Sequence, residues 1–159
     1  MKIIFICTGN IFRSMSAEYL LKKHLKDNND NSIEVSSAGT AVIPLGLYKN
    51  TKDRLSFYNL DVSKHKQTQV TKEILLGKDF IICMTKKHMQ YIMDLGFRPL
   101  LFNKIAYNDD YDLLDDIEYA SKFGHVPDQK EFIYHTIDYI NDAISKIYEW
   151  IINNNKNNQ

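Results

Sequence analysis

The order of apolar runs along this chain predicts an α/β fold, a three-layer arrangement with a central, mostly parallel four-stranded sheet and helices on both faces. Two observations carry that expectation. Ile3-Ile4-Phe5-Ile6 and Phe80-Ile81-Ile82-Cys83-Met84 are continuous β-branched and aromatic runs, the pattern of strands buried on both faces. Between and after them, apolar residues recur at helical spacing, so strand and helix signals alternate.

Taken in order, the first run ends at Cys7-Thr8-Gly9-Asn10, a turn signal. Ala17, Leu20, Leu21, His24 and Leu25 then fall on one face while Lys22, Lys23 and Lys26 fall elsewhere, which predicts an amphipathic helix stopping near Asn28 to Asn31. Ser32 to Ser37 reads as a second strand, and Asn50 to Leu60 and Val70 to Leu76 as short helices. After the strand at Phe80 come a helix from Lys86 to Asp94, a strand around Leu100 to Phe102, and a weak helix near Asp112 to Ala120. From Phe132 onward, Ile133, Ile137, Ile140, Ile144, Ile147 and Ile151 keep one face apolar, predicting that the longest helix closes the fold. Residues 1–153 are read as one domain, and the asparagine-rich end, 154–159, as a polar tail that frays because it has nothing apolar to bury.

Composition narrows the function. The 20 basic residues balance the 20 acidic ones, so no global field draws nucleic acid or an anionic membrane, and no run is long enough to span a bilayer. An anion must be captured locally. Two cysteines, Cys7 and Cys83, are too few for a disulfide scaffold and fit a reducing, cytoplasmic setting. The five histidines lack ligand spacing, and the acidic run from Asp109 to Glu118 reads as a solvated face, so no metal or other cofactor is expected.

The chemistry concentrates at the first strand-to-helix turn. Cys7-Thr8-Gly9-Asn10-Ile11-Phe12-Arg13-Ser14 places a thiol at a strand end, followed by an arginine where a helix begins. Backbone amides of such a loop converge on an oxyanion, the helix N-terminus adds positive potential, and the same field favours a thiolate. Gly9 and Asn10 are residue types that accept left-handed backbone, and Arg13 offers a planar fork for two phosphoryl oxygens. The turn therefore reads as a phosphate-binding loop formed by Thr8, Gly9, Asn10, Ile11, Phe12 and Arg13.

The stretch from Ile6 to Glu18 resembles the C-x-G-N-I-C-R-S-P-x-A-E signature of the low-molecular-weight protein tyrosine phosphatases. The likeness continues through Ser37-Ala38-Gly39-Thr40, His65-Lys66-Gln67, Asp79-Phe80-Ile81 with Met84, and Val126-Pro127-Asp128. It implies hydrolysis of phosphotyrosine or other aryl phosphates, in a protein or a small molecule, with Cys7 as nucleophile and a cysteinyl-phosphate intermediate. By the same resemblance, Arg13 and the loop amides hold the phosphoryl oxygens, Ser14 bonds the thiolate, Asn10 braces the loop, and Asp128 protonates the leaving group. His65 is expected to support a loop by hydrogen bonding, and Ile43 and Tyr48 are candidate walls for the substrate.

Departures from the family pattern carry their own expectations. Phe12 replaces a second cysteine that could protect the nucleophile as a disulfide, and Met15 replaces a helix-starting proline. The family's Asp-Pro-Tyr-Tyr-Gly acid loop reads Asp128-Gln129-Lys130-Glu131 here, a sequence that is also a capping-box-like helix start, so Asp128 has two candidate roles. Three other readings share the cradle. Arginine phosphatases tend to carry threonine at the position of Ile11, arsenate reductases need resolving cysteines beyond Cys83, and a phosphate-binding module would need no acid at all. Oligomeric state leaves no mark in the sequence.

Overall fold

The computed structural model describes residues 1–155. Four strands, β1 (Lys2–Cys7), β2 (Glu34–Gly39), β3 (Phe80–Cys83) and β4 (Leu100–Leu101), form one sheet in the order β2-β1-β3-β4. Every pairing is parallel, with Ile4 opposite both Ser36 and Ile81. Each crossover therefore needs a connection over a face, and the helices supply it: α1 (Arg13–Asp27), α2 (Lys49–Phe57), α3 (Lys72–Leu75), α4 (Lys86–Asp94), α5 (Phe102–Tyr107), α6 (Asp116–Phe123) and α7 (Gln129–Asn155).

Alternation along β1 divides the core in two. Ile3, Phe5 and Cys7 face the side covered by α1 and α7, against Leu21, Ile137, Ile140 and Ile144. Ile4 and Ile6 face the other side, against Leu75 of α3 and Ile92 of α4. Both faces are dry, which is why the strand reads as unbroken apolar sequence. The expected three-layer α/β architecture is the one observed.

Boundaries shift where local chemistry outweighs periodicity. The first helix begins at Arg13, four residues before the apolar stripe, because its first turn is part of the loop that follows β1. β2 runs on to Gly39, in register with Cys7. The fourth strand stops at Leu101, and Phe102, fully buried, opens α5, a helix that the sequence pattern did not announce. α7 starts at Gln129 and continues to Asn155, with Asn154 Nδ2 donating to Trp150 O, so the helix assignment runs two residues into the expected tail. The remainder of the expected tail, 156–159, lies outside the described residues. Among the described residues no helix is long and apolar enough to cross a membrane.

Candidate active site

The loop from Cys7 to Arg13 hangs from the end of β1 and is pinned from three directions. Below it, Thr40 N donates to Cys7 O at 2.9 Å and Ala41 N to Thr8 O at 2.9 Å, carrying the β2 edge onto the loop. From outside, the segment after α2 reaches in: His65 Nε2 lies 2.8 Å from Asn10 O, Gln67 Nε2 donates to Gly9 O at 2.8 Å, and Thr68 N donates to Asn10 Oδ1 at 2.9 Å. From within, both amide hydrogens of Asn10 Nδ2 are used, on Ser14 Oγ at 3.0 Å and Ser37 Oγ at 2.8 Å. Ser37 in turn bonds the carboxylate of Glu18, which pairs with Lys22.

These bonds hold Asn10 at φ 55, in the left-handed region that a tight loop requires at one position. Gly9 does not share that conformation; the neighbouring asparagine alone makes the turn. Gly39 matters for a different reason. A Cβ there would stand 2.4 Å from Thr8 O and 3.0 Å from Asn10 N, so only glycine lets the strand end pass beneath the loop.

The thiol sits at the centre. Cys7 Sγ lies 2.9 Å from Ser14 Oγ and accepts from Asn10 N at 3.3 Å. Each of these partners can donate to the sulfur. No side chain caps α1 at Phe12, so the first-turn amides of the helix that follows the thiol carry no side-chain cap.

Arg13 closes the cradle from the other side and is 2% exposed. Nη1 donates to Leu113 O at 2.7 Å and Glu118 Oε2 at 2.8 Å, and Nη2 donates to Asp115 Oδ2 at 2.7 Å. Three of the five guanidinium hydrogens are thereby spent, and Nε–H and one Nη2–H have no partner among the described residues. The acidic run is thus not the solvated face that its spacing suggested; two of its carboxylates turn inward because a buried cation demands partners.

Cys7, Gly9, Ile11, Arg13, Ala41, Ile43, Leu45, Tyr48, Asp115, Asp116 and Ile117 line one cleft of about 190 Å³. The candidate walls Ile43 and Tyr48 line the same cleft as the thiol, joined by Leu45 and Ile117, which sequence reasoning missed. Burial, and then the charges of Asp116 and Asp115, push the Tyr48 hydroxyl above its ordinary value, so it is a neutral phenol at pH 7.

Asp128 is not brought to this cleft. Its Oδ1 accepts from Glu131 N at 2.9 Å at the start of α7, and it lines a separate depression with Arg54, Tyr134 and Asp138. The capping role is the one its geometry serves. Asp116 occupies the cleft instead, its Oδ2 accepting from Gln129 Nε2 at 3.3 Å. Cys83, by contrast, is wholly buried in the second core cluster, where burial and then the nearby Cys7 push its thiol far above the ordinary range.

The site is thus a loop at the end of a parallel strand that carries a buried thiol beside a buried arginine. The match to known proteins is more specific. Residues 2–154 fit the family described as low molecular weight phosphotyrosine protein phosphatase, and the chain belongs to that family. It is similar to a protein-arginine-phosphatase of Bacillus subtilis (strain 168), 33% identical over 92 residues, 58% of this chain and 61% of that protein. It is also similar to the low molecular weight protein-tyrosine-phosphatase PtpA of Staphylococcus aureus (strain Newman), 28% identical over 137 residues, 79% of this chain and 84% of that protein. In three dimensions it resembles the solution structure of a low molecular weight protein tyrosine phosphatase from Bacillus subtilis, with a TM-score of 0.79 at 24% identity over 96% of this chain and 98% of that one. The alignment with the arginine phosphatase reaches only 61% of that protein's length, a stretch that leaves more than a third of it unmatched.

Proposed function

We propose that the chain hydrolyses phosphate monoesters through a cysteinyl-phosphate, with phosphotyrosine or another aryl phosphate, in a protein or a small molecule, as substrate. One observation carries the reading: Ser14 Oγ at 2.9 Å from Cys7 Sγ in the same cleft as an arginine that keeps two free N–H groups. Cys7 Sγ attacks phosphorus and the bond to the leaving oxygen breaks, while Arg13 and the loop amides hold the equatorial oxygens. Asp116, in its protonated form, gives the leaving oxygen its proton. Water then attacks phosphorus, the S–P bond breaks to return the thiolate stabilised by Ser14, and the water proton passes to Asp116.

The acid role thus moves from Asp128 to Asp116, because a general acid must reach the leaving oxygen and Asp116 shares the cleft with Cys7. Assaying para-nitrophenyl phosphate tests both parts. Cys7→Ser should abolish turnover, and Asp116→Asn should lower kcat by about 10²-fold or more, with Asp128→Asn close to wild type. The reverse order for the two aspartates would return the acid role to Asp128, and a wild type without turnover would leave only a phosphate-binding module.

A second reading, phosphoarginine as substrate, is supported by the arginine-phosphatase relative and by the carboxylate of Asp116 in the cleft lining, which suits a cationic leaving group. Ile11 in place of threonine and the aliphatic rim of Ile43, Leu45 and Ile117 favour the aryl ester. Comparing kcat/KM on phosphotyrosine and phosphoarginine peptides separates them. Arsenate reduction is disfavoured because the second thiol, Cys83, is buried on the opposite face of the sheet. The reading includes a cytoplasmic setting, supported by two unpaired cysteines.

A further inference from the structure

We propose that Asp115 and Glu118 are positioning residues that lock the Arg13 guanidinium in its catalytic orientation, through a capping box that serves helix α6 and the active site at once. The inference rests on the phosphatase reading for its kinetic consequence and on the geometry alone for its physical one.

Each carboxylate does two jobs. Asp115 Oδ1 accepts from Glu118 N at 2.7 Å, which caps α6, while Oδ2 takes Nη2 of Arg13 at 2.7 Å. Glu118 Oε2 accepts from Asp115 N at 3.0 Å and also from Nη1 of Arg13 at 2.8 Å. Leu113 O supplies a third bond to Nη1 at 2.7 Å. A guanidinium is planar, so three bonds at its two terminal nitrogens fix the plane and with it the directions of Nε–H and the last Nη2–H.

The capping box alone does not require an arginine, and Arg13 alone does not require two carboxylates. One carboxylate neutralises one guanidinium; the second makes the group net negative, which weakens the pull on an incoming phosphate dianion. The arrangement is therefore poor for ground-state attraction and good for orientation, the combination that acts on a transition state held by fixed donors. α6 itself buries no residue, so its placement depends on contacts such as these, and the arginine and the helix hold one another.

The two jobs can be separated by substitution. Asp115→Ser with Glu118→Gln preserves a Ser-x-x-Gln capping box while removing both negative charges from Arg13. The expected result is a kcat on para-nitrophenyl phosphate lowered about tenfold or more, with inorganic phosphate binding, measured by calorimetry, unchanged or tighter. A role confined to capping predicts an unchanged kcat, and that outcome overturns the proposal. Where the double variant does not fold, Glu118→Gln alone should lower kcat about threefold, and no change would overturn the proposal equally.

Nitrogen-15 NMR of the guanidinium groups gives a readout that needs no turnover, and with three arginines in the chain, Arg13, Arg54 and Arg98, the spectrum is sparse. Separate, slowly exchanging Nη signals for Arg13 in the wild type, averaged in the double variant, support the clamp. Averaged signals already in the wild type sink it. A wild type that binds phosphate in a locked guanidinium yet turns nothing over would defeat the phosphatase reading and leave the clamp standing.

Discussion

His88 Nε2 meets the Oγ1 of Thr8 at 2.9 Å, tying the loop that follows β1 to the first turn of α4. Its other ring nitrogen, Nδ1, lies 2.9 Å from Thr85 Oγ1, so the imidazole is held between two hydroxyls in a site where it is 2% exposed. Burial, reinforced by the charges of Arg13 and Lys87, lowers its pKa to about 3.

That depression makes stability depend on pH in a definite direction. Above the ordinary histidine value of about 6.5, neither folded nor unfolded His88 is charged and its contribution is complete. As pH falls from about 6.5 towards 3, the unfolded chain takes up a proton that the folded one refuses, and stability falls by roughly 1.4 kcal/mol per unit. Urea midpoints of wild type and His88→Gln, compared between pH 7 and 5 to stay clear of the carboxylates, measure it. Parallel curves would show that His88 contributes nothing to the slope.

Gly39→Ala should damage the site without touching a reactive group. Its Cβ would meet Thr8 O at 2.4 Å and Val42 Cγ2 at 2.9 Å, and the backbone oxygen cannot swing aside as a side chain could. The expected cost is about 1–3 kcal/mol of stability together with a lower kcat from the displaced loop. Full activity in a variant of unchanged melting temperature would mean that the loop has slack that the close contacts conceal.

Peroxide should oxidise Cys7 without forming an intramolecular disulfide. Cys83 pairs in register with Ile6 and so shares its face of the sheet, whereas Cys7, the next residue along β1, points to the other. Phe12, which stands where the resemblance expects a resolving cysteine, is buried and inert to oxidation. Mass spectrometry should find oxygen added to Cys7, progressing from sulfenic to irreversible acids, and a Cys7–Cys83 cross-link would contradict the strand geometry.

Asp138→Ala should weaken the fold away from the cleft. Arg54 makes two bonds to this carboxylate, Nε to Oδ1 at 2.7 Å and Nη2 to Oδ2 at 2.6 Å, and Tyr58 donates to Oδ1 at 2.7 Å, fastening α2 to α7. Side chains that are 21% and 32% exposed are partly screened, so the expected loss is about 1–2 kcal/mol. Thermal melting checks it, with kcat on para-nitrophenyl phosphate expected to stay near wild type.

The parts of the molecule that sequence made legible are those fixed by local rules. β1 follows from an unbroken apolar run, α7 from its isoleucine stripe, and the loop from a thiol, a left-handed asparagine and an arginine in one short segment. The acid side of the cleft was not legible, for a reason visible in the residues. Asp-x-x-Glu occurs twice, at Asp115 to Glu118 and at Asp128 to Glu131, and both start helices. Only the path of the chain after β4, including the unheralded α5, decides which of the two faces Arg13. Long-range bonds of that kind have no signature in spacing.

Asn10 anchors the cradle to residues far along the chain, its side chain held by Ser37 and Thr68 as well as Ser14. A peptide comprising 1–27 would own the thiol and the guanidinium yet have no pocket, since the moulds that shape the turn are delivered by β2 and by the strap beyond α2. Any grip this turn has on an oxyanion would therefore require those remote segments to be in place, and oxyanion affinity would report whether they are.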